Sequence, residues 1–197
     1  MEKYLRFDSE NIANLRVRMM TCRPAEAMAL PNGTLVKLGD MELAETTPVK
    51  KAEREIHVAL APEGKEIAVI QMPEINYKDD SRVDRALGDF RNRKGAPLAC
   101  VILSNHDILG FSEDYFAGGI ANLKVGDVVN MQNTLAEGQQ LVRGTDLKAG
   151  EVNFKVVEIK DESLAVTVVY DEVSGRAVRR PVPYKMVSLE VIIAEAE

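Results

Sequence analysis

Of the two histidines in the chain, His106 follows Ser104 and Asn105 and precedes Asp107. Serine, histidine and aspartate are the residue types of a nucleophilic triad. A working triad holds the imidazole between hydroxyl and carboxylate, and its members usually come from separate segments. Adjacent side chains on an extended chain leave on opposite faces. The Ser104–Asp107 stretch is therefore read as a loop between strands, not a catalytic centre. His57, in the alternating run Glu55-Ile56-His57-Val58, falls on the polar face and is read as a surface residue.

Cys22 and Cys100 lie in no Cys-x-x-Cys or Cys/His spacing, which points to two buried thiols rather than a zinc site or a disulfide framework. The paired acids Asp79-Asp80, Asp161-Glu162 and Asp171-Glu172 fall at turns, where carboxylates serve the local backbone. Gly118-Gly119 lacks the third glycine and the βαβ setting of a dinucleotide fingerprint, and there is no phosphate-loop or calcium-loop pattern. No catalytic residue, metal or cofactor is expected, and the chain reads as a protein that binds rather than catalyses.

Two basic clusters stand out. Arg82, Arg85, Arg91, Arg93 and Lys94 belong to a charge-dense insert over 74–95, and Arg176, Arg179, Arg180 and Lys185 flank an apparent edge strand. The net charge of −6 and the 5% aromatic content argue against nucleic acid as the partner. Phosphate neutralisation needs a basic surplus, and base stacking needs aromatic rings. Charge on an edge strand also discourages unwanted pairing. No apolar run approaches the roughly 20 residues of a membrane span. The charged start MEKYLRFDSEN has no apolar core of a signal peptide, so the expectation is a protein made and kept, or assembled, in a cytoplasm.

The elements that must carry these residues are mostly strands, giving a mainly β fold. A barrel or sandwich of antiparallel strands is expected, with one or two short helices and long polar loops. Residues 1–11 read as an N-terminal arm, whose Tyr4, Leu5 and Phe7 give it something to dock with. Residues 12–197 read as the β domain, divisible into lobes at 12–73 and 96–197 joined by the insert. Ile12–Met20 alternates as a strand, and Asn32-Gly33 suits a tight reversal before Thr34–Leu38. In the insert, Ser81 can cap a short helix whose Val83, Leu87 and Phe90 share one face.

Pro97–Leu103 is continuously apolar, as in a central strand buried on both faces. Ser112–Phe116 reads as an N-capped single turn with acids at its positive end. Val152, Phe154 and Val156 alternate and then shift register to Val157 and Ile159, as a bulge allows. Leu164–Tyr170 alternates strictly, a turn follows, and Arg176–Pro183 returns as a basic, proline-limited edge.

The run Asp107–Phe116, followed by Leu123-Lys124-Val125-Gly126-Asp127-Val128-Val129, resembles small structural proteins of tailed bacteriophages. There a strand leads into a serine-acid-acid-aromatic turn and then a Val-Gly-Asp strand start. Phe154–Ile159 and Asn32–Val36 are similar to other strands of the same group. These proteins are head decoration, or cement, proteins. The resemblance implies a virion protein on the capsid surface, made in the host bacterial cytoplasm, without cofactor and not an enzyme. Its partner would be the major capsid protein, together with further copies of itself. Minor capsid and head–tail roles belong to the same class. A β-barrel nucleic-acid-binding module using the two basic clusters is the alternative outside it. Phe111, Tyr115 and Phe116 are the expected contact residues of the marker stretch, with Arg176, Arg179 and Arg180 a second candidate surface.

Overall fold

The computed structural model describes residues 5–13, 15–24, 30–41, 54–58, 67–72, 92, 96–134, 138–144, 146–147, 151–171 and 176–193. The fold is mainly β. The strands are β1 (Phe7–Asn11), β2 (Met19–Pro24), β3 (Leu35–Met41), β4 (Arg54–Val58), β5 (Ile67–Ile70), β6 (Leu98–Ile102), β7 (Ile108–Ser112), β8 (Val128–Thr134), β9 (Gly138–Arg143), β10 (Val152–Asp171) and β11 (Arg176–Ile193). Leu15–Arg18 forms one helical turn, α1, and Glu113–Tyr115 a 3-10 turn.

Strands β2-β4-β3-β5-β6 close into a small barrel, and β1-β7-β11-β10-β8-β9 form a six-stranded sheet. Five strands cannot alternate direction all the way round, so one neighbouring pair must be parallel. That pair is β2–β4. Every other strand pairing, in the barrel and in the six-stranded sheet, is antiparallel, as expected. Strand β6 closes the barrel, and β1 is an edge of the six-stranded sheet.

Period-two alternation splits the barrel wall between two cores. Cys22, Val36, Leu38, Ala68, Ile70, Leu98 and Cys100 cluster together. Leu35, Ile67, Val69 and Val101 turn the other way and pack with Phe7, Leu109, Phe111 and Phe154 of the sheet. A wall buried on both faces explains why Ile67–Ile70 and Leu98–Ile102 read as continuous apolar runs.

Gly33 sits at this junction with φ +78°, and a Cβ there would lie 2.9 Å from a ring carbon of Phe7. The Asn32-Gly33 reversal is thus fixed by backbone geometry and by crowding together.

Two local readings change. Ile12–Met20 is not one strand, because Leu15–Arg18 turns helically before β2 begins at Met19. That turn delivers Arg18 to Asp107, making a tertiary contact that alternation does not encode. Ser112 precedes the 3-10 turn but makes no capping bond. Its hydroxyl instead accepts the Arg6 backbone N–H at 2.9 Å. The proposed helix in the insert lies outside the described residues. Within that insert Asn92 is 3% exposed, and its amide donates to the Leu30 carbonyl and to Asn32 Oδ1.

Candidate functional site

Strands β10 and β11 outrun the sheet that anchors them. Strand β8 pairs β10 only over Asn153–Lys155, and β7 pairs β11 only over Met186–Glu190. From Ala165 opposite Val182 to Asp171 opposite Arg176 the two strands pair with each other, and no other described strand joins them. This is a two-stranded ribbon about 20 Å long at ~3.4 Å per residue. Register breaks occur between Val156 and Glu158, where the bulge was expected, and between Glu162 and Ala165 at the start of the ribbon.

The root of the ribbon is tightly held. Tyr184, 4% exposed, accepts a hydrogen bond from Arg6 Nη1 at 2.9 Å. The Arg6 backbone is in turn locked to Ser112 by reciprocal 2.9 Å bonds. Beside it Lys160 meets Glu158 at 3.2 Å and Glu10 at 3.5 Å, and Ser188 donates to Glu10 at 2.9 Å. The Glu158 hydrogen bond is the main cause holding the Lys160 ammonium above its ordinary pKa. Lys185 and Asp161 face each other at 3.5 Å.

The expected contact residues separate into two groups. Arg176, Arg179 and Arg180 lie on the outer half of β11, at the register positions of Asp171, Val168 and Thr167. The aromatics do not form a surface. Phe111 is fully buried, with its ring centroid 5.2 Å from those of Phe7 and Tyr115 and 6.2 Å from that of Phe154. Tyr115 and Phe116 are 3% and 7% exposed, and the Tyr115 hydroxyl donates to the Asn32 carbonyl. These rings join sheet to barrel. Leu5 packs partly buried against the same core, and Phe7 opens β1, so the expected arm is, from Phe7 onward, a strand of the sheet. Tyr4 lies outside the described residues, as do Arg82, Arg85, Arg91, Arg93 and Lys94.

The Ser104–Asp107 loop diverges chemically. His106 has φ 70° and places Nδ1 2.7 Å from Glu190 Oε1 on the surface. Asp107 is 3% exposed and takes both terminal nitrogens of Arg18, each at 2.7 Å. Its Oδ2 also accepts the Ser104 N–H at 2.8 Å. The aspartate is a rivet between α1 and the loop after the barrel, with no imidazole on it.

Cys22 pairs with Leu98 and Cys100 with Met20, so the cysteines are diagonal neighbours across β2 and β6. Neither is in a disulfide, and both are fully buried. A hydrogen bond between the thiols, with burial second, pushes the Cys100 thiol far above its ordinary range. Among the described residues no three His, Cys, Asp or Glu side chains cluster as a metal site, and no helix is long and apolar enough to cross a membrane. A polar cleft of about 400 Å³ opens between Phe7, Asp8, Ser9, Asn32, Gln71 and Met72, where Gln71 donates to Ser9 at 2.6 Å.

Comparison with protein-family models, curated proteins and solved structures gives no match.

Proposed function

We propose that the chain is a non-enzymatic structural subunit of a tailed-phage virion that binds the outside of the major capsid lattice and stabilises the head. The observation that carries this reading is the β10–β11 ribbon, anchored at Tyr184 and extended beyond every other described strand. On this reading the ribbon reaches across to a neighbour. A lattice repeats such a contact many times, so a modest affinity at each point suffices. The strand-and-turn resemblance of Asp107–Val129 to decoration proteins supplies the setting.

The same ribbon favours one other reading. A two-stranded β-ribbon fits the major groove of DNA, and Arg176, Arg179 and Arg180 could meet phosphates. A net charge of −6 weighs against it.

Co-sedimentation with empty heads of the phage or prophage that carries the gene, beside duplex DNA at moderate salt, separates the two. Saturable binding to heads with no retention of DNA is expected. Excising the ribbon and joining Glu162 to its register partner Tyr184 through Asn-Gly should abolish head binding. Protein that leaves the heads bare overturns the proposal, and DNA retention in the same experiment would favour the groove-binding reading.

A further inference from the structure

The two outer edges of the ribbon differ. Along β11 stand Arg176, Arg179, Arg180, Pro181 and Pro183. A proline has no N–H to give a further strand, and a row of guanidinium groups repels its own copy. Along β10 the run Ala165-Val166-Thr167-Val168-Val169-Tyr170 has no charge and no proline. Three of the six residues are valine, with one threonine and one tyrosine, types that favour strands. On this side β10 is covered by β8 only as far as Lys155 and by the Gly126–Asp127 turn at Val156. Past the turn, among the described residues, its edge carries no further strand.

We infer that the ribbon is a self-pairing element: Ala165–Tyr170 of β10 adds antiparallel to the same segment of a second copy across a two-fold axis. Three considerations select a second copy of this chain as the occupant. A two-stranded ribbon is marginally stable in water, whereas the order β11-β10-β10-β11 makes four strands. The segment is uncharged, so pairing it with itself sets no charge against a like charge, while pairing β11 with its own copy would set arginine against arginine. The assembly also closes at two. Its new outer edges are both β11, blocked by Pro181 and Pro183, so the contact is isologous and does not grow into a fibre. The two β11 strands, each with Arg176, Arg179 and Arg180 in its sequence, are then the outer strands of one dimer.

The inference rests on reading the ribbon as the assembly element, and it is tested apart from capsid binding. Sedimentation equilibrium over a range of concentration should show a monomer–dimer system whose dissociation constant changes little with salt. Thr167→Lys sets a charge in the uncharged segment and should weaken the dimer at least about tenfold, a factor worth ~1.4 kcal/mol, without moving the unfolding midpoint of the body. Single cysteines introduced one at a time over 165–170 should cross-link between copies at one or two positions beside the axis. The native thiols, fully buried, stay silent.

A monomer at the highest soluble concentration overturns the inference. So does a dimer that dissolves in salt, or one indifferent to Thr167→Lys and free of these cross-links. A Thr167→Lys monomer that still decorates heads keeps the proposed function and shows that dimerisation is not needed for it. A confirmed dimer that leaves heads bare keeps the pairing and discards the function.

Discussion

Strand β10 passes through two settings. Over Val152, Phe154 and Val156 its side chains are at most 1% exposed, with β11 on one side and β8 or the Gly126–Asp127 turn on the other. At Val157 exposure rises to 39%, and the Asp161 side chain is 87% exposed. From Ala165 on, the strand has one described neighbour. Residue type hardly changes along this path, since valine alternates in both halves. What changes is the number of partners. The inner half is held by burial and by locked polar contacts, and the outer half by a single ladder. The inner half therefore carries the larger share of the stability, and the outer half, among the described residues, is held by β11 alone.

If that contrast is right, the largest losses of stability come from the junction and not from the ribbon. Asp107→Ala strands a 15%-exposed Arg18 without its carboxylate and should cost about 3–5 kcal/mol in chemical denaturation. Replacing both partners, Arg18→Met with Asp107→Leu, should recover most of that loss, because no charge is then left unpaired. Phe154→Ala removes a fully buried ring packed on Phe111 and belongs to the same class, about 3–5 kcal/mol. A loss below ~1 kcal/mol in either single variant would place the core elsewhere.

Gly33→Ala comes next. It sets a Cβ 2.9 Å from the Phe7 ring at φ +78°, which should cost about 1–3 kcal/mol. Gly118→Ala is its control. That glycine has φ +81° with nothing within 4 Å, so it isolates the backbone part of the cost. Equal midpoints for the two variants would remove the claim that Phe7 crowds the turn.

Much of this core was visible in the sequence. Pro97–Leu103 declared a buried strand by its unbroken apolar run, and the Val156–Val157 shift declared its bulge. The partners of these strands were not visible. Alternation records that a face is buried, never against what. Arg18 and Asp107 are 89 positions apart, and nothing local marks either as half of an ion pair. Cys22 and Cys100 become neighbours only through the β2–β6 register. Aromatic residues misled for a related reason. Phe111, Tyr115 and Phe116 suit a core and an interface equally well by type, and only burial separates the two uses. The ribbon showed as strands and a turn, but its length beyond the sheet depends on where β7 and β8 stop pairing, which no residue of β10 or β11 records.

The thiol pair gives a smaller effect with a definite sign. The Cys100 thiol is held protonated in the fold well above its ordinary value of 9.0. A raised folded pKa contributes stability that is fully present below the unfolded value and is lost as pH rises past it, as the unfolded chain ionises first. Stability should therefore fall between pH 9 and 10 more steeply in the wild type than in Cys100→Ala, by up to about 1.4 kcal/mol per pH unit. Parallel pH profiles would mean that the thiol ionises in the fold as readily as in the unfolded chain.

The ribbon should give the least of all. Excision of its outer part through an Asn-Gly joint leaves Arg6, Tyr184 and the Lys160 cluster in place, because these bonds lie at or inside the Glu162–Tyr184 pair. In dilute solution, where any association is absent, the excised protein should unfold within about 0.5 kcal/mol of the full chain, as changes remote from a core do. Its amide protons at Leu109, Phe154 and Leu189 should keep full protection from exchange. A loss of several kcal/mol would show that the ribbon folds back to support the body, and the division between a stable frame and a free contact element would fall with it.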